Sequence, residues 1–449
     1  MRVLIVAEHA SAQFGGEAIL PLHYFRLLRQ RNIEAWLVVH ARTRTELEAL
    51  FPSDSHRLHF APDTWLHRLL YRCGTLLPPR VGEVTVGLLS HLHTQILQRR
   101  IVRRLVREHG IDIVHEPIPV SPKSPSLMFA LCAPVIVGPL NGGMEFPPAF
   151  SSRQSLSEQL AVALGRRCSN FCNRILPGKL RAQTVLVANQ RTLQALPAGT
   201  RGRVIELADN GVDFSVWQPP PLKSKPASER VHFAFAGRLV GWKAVDLLLE
   251  AFVPVAAQTG ALLEIIGDGE GRQQLEAQAA NLGLTGSVAF AGWLSQEGVA
   301  SRLQQADALV LPSLFECGGA VVLEAMAMGL PVIATGWGGP ADYLDSTCGI
   351  LVAPASRKAF VSGLTDAMLK LAASPELRQK MGRAGIERIR QHFDWERKID
   401  RMVEIYQQTA AGAQKKPAAS NPAEKLQIFP LLFLSFPWRS WHLGNLLKK

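Results

Sequence analysis

The stretch Phe315-Glu316-Cys317-Gly318-Gly319-Ala320-Val321-Val322-Leu323-Glu324-Ala325-Met326-Ala327-Met328-Gly329 places two carboxylates eight residues apart. One falls in a Gly-Gly turn, the other inside an Ala/Met/Leu run that reads as a buried helix. Glu is almost never fully buried unless something pairs with it. A core helix has no need of Glu324, whereas a hydroxyl-bearing ligand at the helix mouth does. Were the whole span helical, the two positions would lie about 12 Å apart. That separation suits two parts of one elongated ligand.

Three further loops each follow an apolar strand-like run. Ala234-Phe235-Ala236-Gly237-Arg238-Leu239-Val240-Gly241-Trp242-Lys243 offers two glycines and two cations five residues apart. Arg238 can chelate phosphate oxygens with its planar fork and Lys243 can act as a point charge, so the loop can hold a diphosphate. Charge builds on a departing diphosphate, and the same cations would stabilise it. An exposed charged turn is the plain alternative. In Ile265-Ile266-Gly267-Asp268-Gly269 the glycines allow close approach of a flat base or a phosphate, although strand-to-helix turns often carry Gly-Asp. Gly318 and Gly319 lie near a helix N-terminus, which favours negative charge. Thr335-Gly336-Trp337-Gly338-Gly339-Pro340 is placed to wall the same crevice.

A chain of 449 residues exceeds one core, and two or three domains are expected. Val3–Ala7, Ala35–Val39, Ile111–His115, Val135–Val137 and Thr184–Ala188 read as strands separated by amphipathic stretches. A second alternation runs through Val231–Ala236, Leu262–Ile266, Val288–Phe290, Ala308–Leu311, Pro331–Ala334 and Gly349–Val352. Alternation of this kind predicts parallel sheets covered on both faces, with ligands at the carboxyl ends of the strands. The Pro-rich stretch 218–226 reads as a linker, since it cannot continue a helix or central strand. The expected domains are 1–209, 210–390, a helix over 391–409 that crosses back, and a basic and apolar disordered tail over 410–449.

Hydrophobic content of 47% against 19% charged describes a soluble globular chain, and no apolar run reaches the roughly 18 residues that span a bilayer. Residues 1–7 read as a first strand and not as a signal peptide. The six cysteines show no metal or framework spacing, and Cys168 and Cys172 at i, i+4 read as a packed helical face. A reducing cytoplasm fits. Of the net charge of +12, residues 1–209 carry +10, from 25 Lys+Arg against 15 Asp+Glu. Arginine lies beside apolar residues at helical spacing over 98–107 and 166–181. That pattern suits an anionic membrane or a lipid-linked phosphate, and equally a solvated Arg-rich helix. No motif accompanies the charge that would point to nucleic acid. Residues 428–447 are apolar but Pro-broken, a segment for a membrane interface or an idle tail.

Taken together, the four loops in this order resemble the family 4 glycosyltransferases of the GT-B fold. The similarity covers about residues 1–409 and is strongest over 230–355. It implies an α/β architecture of two Rossmann-like doubly wound parallel sheets with a cleft between them. It further implies that Glu316 contacts the donor sugar, Glu324 holds the ribose hydroxyls, and Arg238 and Lys243 form the diphosphate-binding pair. Phe14-Gly15-Gly16-Glu17 is similar to the family's glycine loop near donor phosphate and acceptor, which marks Gly15 and Gly16. Gly267, Asp268, Gly269, Gly318 and Gly319 complete the implied donor site. Many relatives place a His after the strand that follows Asp112-Ile113-Val114-His115-Glu116; this chain instead reads Val137-Gly138-Pro139-Leu140-Asn141-Gly142-Gly143-Met144-Glu145. Asn141 or Glu145 stands in for that group, or the loop shapes acceptor binding only. His115 is either a contact or a buried structural His, and Glu8 and His9 end a strand at the crevice without a motif.

The resemblance implies a metal-independent, retaining transfer of sugar from a nucleoside diphosphate sugar to an acceptor hydroxyl. The donor is a substrate, and no cofactor or metal site is expected. The charge and tail point to a lipid-linked or cell-surface polysaccharide precursor at the inner face of the cytoplasmic membrane. The alternatives are a nucleotide-sugar hydrolase or epimerase on the same fold, and a non-catalytic scaffold of a polysaccharide assembly complex.

Overall fold

The computed structural model describes residues 1–13, 16–76, 82–153, 156–219 and 230–414. Gly15, most of the Pro-rich stretch and the apolar tail segment therefore lie outside the described residues.

The first sheet is built from β1 (Arg2–Val6), β2 (Glu34–His40), β3 (Leu58–Ala61), β4 (Ile113–Glu116), β5 (Val135–Leu140), β6 (Thr184–Val187) and β7 (Arg203–Glu206) in the order β3-β2-β1-β4-β5-β6-β7. The second holds β8 (His232–Ala236), β9 (Leu262–Ile266), β10 (Val288–Gly292), β11 (Ala308–Leu311), β12 (Val332–Thr335) and β13 (Gly349–Val352) in the order β10-β9-β8-β11-β12-β13. Neighbouring strands in both sheets pair in parallel. Each is a doubly wound sheet whose strand order reverses beside the first strand, where crevices open at the carboxyl ends.

The continuous apolar runs follow from burial on both faces. Along β1, Val3 and Ile5 join one core of the first domain while Leu4 and Val6 join another on the opposite face. Sequence reading missed β3 and β7. They are the two edge strands of the first sheet, and β7 is largely exposed, so neither carries a long apolar run.

The chain passes between the domains twice, side by side. Val212 N–H donates to the Phe393 carbonyl at 2.7 Å, and Trp395 N–H donates back to Val212 at 3.1 Å. The helix Trp395–Gln414 then lays Trp395, Ile399, Met402, Ile405 and Tyr406 into the first domain's core. Their spacing is one face of a 3.6-residue period. The helix runs to Gln414, past the expected start of the tail at 410. Lys398 anchors it, donating to the Asp209 carbonyl with its ammonium 4.1 Å from the Trp395 ring. Burial pushes that amine down to about 7.

Candidate active site

A cleft of about 500 Å³ opens between the carboxyl ends of the two sheets. Gly16, Glu17 and His23 line it from the first domain, Asp209, Asn210 and Trp217 from the crossing segment, and Gly237, Lys243, Glu316, Gly318, Gly319 and Glu324 from the second.

Glu316 belongs to a loop, and the helix begins only at Ala320, after Gly319 turns the backbone with φ 82°. That left-handed cap is a conformation glycine adopts without a Cβ penalty. Lys243 ends a short turn whose Trp242 carbonyl accepts a hydrogen bond from Leu314 N–H at 2.8 Å, so the two loops are tied together. The Lys243 ammonium pairs directly with the Glu316 carboxylate, and the two side chains are only 15% and 16% exposed. Glu324 sits in the helix Ala320–Ala327 with its side chain turned to the cleft and receives no hydrogen bond from a described residue. Burial pushes its carboxyl up to about 7. The side chain keeps a partly open face on the cleft, so surrounding protein mass, not full occlusion, causes the rise.

Other expected residues lie elsewhere. Arg238 is exposed, does not line the cleft, and makes no ion pair with a described residue. Gly267 and Gly269 pack loop against loop: a Cβ on Gly267 would stand 2.0 Å from the Gly237 carbonyl, and one on Gly269 2.6 Å from that of Leu239. Their need for glycine is explained by this contact, and neither lines the cleft. The Asp268 carboxylate caps Gly269 N–H at 2.7 Å and pairs with Arg272 at 3.2 Å.

Asn141 is buried at the domain interface. Its Nδ2 donates to the Cys317 carbonyl at 3.1 Å, and its Oδ1 is buried with no hydrogen-bond partner among the described residues. It therefore touches the backbone of the Glu316 loop and does not itself line the cleft. Around it, Trp337 Nε1 donates to the Glu145 carbonyl at 2.8 Å, Phe146 stacks on Phe315 at 5.2 Å, and Arg191 pairs with Asp342 at 3.1 Å. The Thr335–Pro340 loop supports the site from behind, through Gly339 N–H donating to the Glu316 carbonyl at 2.8 Å. The Glu145 side chain is exposed. His115 is a buried structural residue: Nε2 meets the Gly138 carbonyl and Nδ1 the Tyr406 hydroxyl, both at 2.7 Å, and burial pushes it down to about 4.

The sequence assigns no role to several cleft residues. Glu17 accepts from Val120 N–H at 2.9 Å, and burial pushes its carboxyl up despite that bond. His23 stacks on Trp395 at 4.7 Å, and Trp293 stands 70% exposed at the rim. Asn210 and Asp213, which precede the Pro-rich linker and carry no role in the sequence analysis, also line the cleft, with Arg26 paired to Asp213. Glu8 instead turns to His91 at 2.6 Å, away from the cleft lining.

The cysteines are free, and Cys168 is exposed because Ser169 and Asn173 occupy the packed face of that helix. The sequence carries no metal-ligand spacing. The fold nevertheless gathers His40, Asp63 and His67 outside the cleft lining, the one such group among the described residues. No helix among the described residues is long and apolar enough to cross a membrane.

Residues 222–388 match the family model of glycosyl transferases group 1. The glycogen synthase of Mycobacterium tuberculosis is 29% identical over 221 residues, covering 49% of this chain and 51% of that protein. The lipopolysaccharide core biosynthesis glycosyltransferase LpsE of Rhizobium meliloti is 33% identical over 170 residues, covering 38% and 47%. The chain spans about half the length of the curated relatives it matches. Among solved structures, the sucrose-phosphate synthase of Thermosynechococcus elongatus superposes with a TM-score of 0.65 at 19% identity over 92% of this chain and all of that one. Anabaena HepE, solved in complex with UDP, gives 0.61 at 16% over 91% and 100%. These structures share the two-domain fold across nearly the whole described chain. The chain has the GT-B fold, and its second domain is related to the glycosyl transferases group 1 family.

Proposed function

We propose that the chain transfers a sugar from a nucleoside diphosphate sugar to an acceptor hydroxyl with retention of anomeric configuration. The observation that carries this reading is the trio Lys243, Glu316 and Glu324 in one interdomain cleft, a paired cation and a carboxylate with no partner among the described residues. The donor diphosphate takes over Lys243, which stabilises the charge that builds on the leaving group. Glu316, released from the ammonium, orients the sugar hydroxyls. Glu324 accepts from the ribose hydroxyls and gains the donors it lacks. Arg238, exposed on the Lys243 loop and outside the cleft lining, serves as the second cation once its side chain turns inward to the diphosphate. The acceptor attacks from the face the leaving group vacates, and a donor phosphate oxygen takes its proton. HepE, crystallised with UDP and with UDP-glucose, supports a uridine donor as the first to try.

For the acceptor we propose a lipid-linked or cell-surface polysaccharide precursor at the cytoplasmic membrane face. The +10 charge of residues 1–209 and the likeness to LpsE support it. Nucleotide release from UDP-glucose and other sugar nucleotides, with and without a lipid-linked acceptor, tests the reading. Release that requires acceptor supports transfer. Equal release without acceptor indicates a hydrolase, and none with any donor leaves a scaffold.

A further inference from the structure

At the carboxyl end of β2, outside the cleft lining, three side chains converge that the transfer reaction does not use. His40 ends β2, Asp63 follows β3, and His67 lies in the first turn of the helix Trp65–Thr75. One ligand atom from each lies within 4.8 Å of the other two. His40 Nε2 and His67 Nδ1 stand 3.8 and 3.7 Å from the same Asp63 oxygen. Both histidines are 1% exposed, and His40 Nε2 is buried with no hydrogen-bond partner among the described residues. The Asp63 carboxylate is 43% exposed, which leaves an entry path.

We propose that His40, Asp63 and His67 bind one divalent first-row transition cation, with solvent completing the shell. Two imidazoles and one carboxylate suit Zn²⁺ or Co²⁺ and not the all-oxygen shells of Mg²⁺ or Ca²⁺. Metal–ligand bonds of about 2.0–2.1 Å need the three atoms slightly closer than they stand. Thr94 Oγ1, which donates to the Ser90 carbonyl, accepts from His67 Nε2 at 3.0 Å, an outer partner that keeps the proton there and leaves Nδ1 as the lone-pair nitrogen. Three contacts are given up on binding: Thr64 N–H at 3.2 Å and the Thr64 hydroxyl at 3.1 Å to His67 Nδ1, and Arg42 N–H at 3.2 Å to His40 Nδ1. The His40 proton moves from Nε2 to Nδ1, so no proton need leave that ring. Each lost hydrogen bond weakens binding by about tenfold, small beside the gain from three protein ligands. Arg42 opposes the ion and Asp63 draws it in. Bound, the ion ties β2, the loop after β3 and the following helix into one unit.

The full chain, stripped with a chelator, is titrated with Co²⁺ and with Zn²⁺. One Co²⁺ per chain is expected, with the visible absorption of low-coordinate cobalt and a rise in Tm with Zn²⁺. Asp63→Asn, a substitution on an exposed side chain that keeps the fold, weakens binding at least tenfold, and His40→Gln removes the visible bands. His56→Gln, on an exposed histidine outside the cluster, binds as wild type. Absence of a one-to-one complex, or Asp63→Asn and His40→Gln chains that bind like wild type, overturns the proposal. Sugar transfer is not the readout, so failure here leaves the donor site standing.

Discussion

The Lys243 ammonium and the Glu316 carboxylate neutralise one another in the mouth of the cleft, each side chain about five-sixths buried. A donor diphosphate must displace this pair, so the same ammonium serves the resting protein and the leaving group.

Lys243→Ala is therefore expected to stay folded and to lose about 10²–10³-fold or more in turnover, the usual cost of removing one such electrostatic contact. It also leaves Glu316 partly buried and unpaired, costing about 1–3 kcal/mol of stability. Acceptor-dependent nucleotide release and thermal melts check the two effects; near-normal turnover contradicts the role.

Glu324 titrates near 7 in the fold against an ordinary 4.5, so between those values the folded chain holds more protons than the unfolded one. Stability then falls as pH rises from 4.5 to 7. Glu324→Gln should match wild type in Tm near pH 4.5 and exceed it near pH 8. Discounting for the open face of the side chain, the gain is about 1–2 kcal/mol. Melts at both pH values decide it, and an equal gap at the two would contradict the burial argument.

His115 behaves with the opposite sign of slope. Its folded pKa near 4 lies below the ordinary 6.5, so the unfolded chain binds more protons between them and stability is lost as pH falls from 6.5 to 4. This residue also pins the crossing helix through Tyr406. His115→Gln should flatten that acid slope by up to about 3 kcal/mol, read from melts across the range.

Much of this arrangement was legible before folding. The apolar runs marked the central strands because both their faces are buried, and the two carboxylates marked the cleft because an Ala/Met/Leu helix does not otherwise carry Glu324. Edge strands β3 and β7 were hidden because their exposed faces break the apolar run. Gly267 and Gly269 were read as ligand contacts, yet their glycine requirement comes from loop-on-loop packing, which spacing alone does not distinguish from close approach of a ligand. The Lys243–Glu316 pair spans 73 residues and the Asn141–Cys317 bond 176, so neither leaves a local signature.

Gly267→Ala should cost at least about 3 kcal/mol, since its φ is 134° and the new Cβ meets the Gly237 carbonyl at 2.0 Å. Gly16→Ala, with φ 57° and open space around it, should cost only about 1–2 kcal/mol. Denaturant melts of the two variants measure the difference, and equal losses would contradict the packing account.

Calorimetric titration of UDP-glucose and other sugar nucleotides into the wild-type chain, Lys243→Ala and Glu324→Gln tests the central claim most directly. The account predicts one site per wild-type chain for at least one donor, and at least tenfold weaker binding in each variant. A donor that binds both variants as tightly as wild type would contradict it.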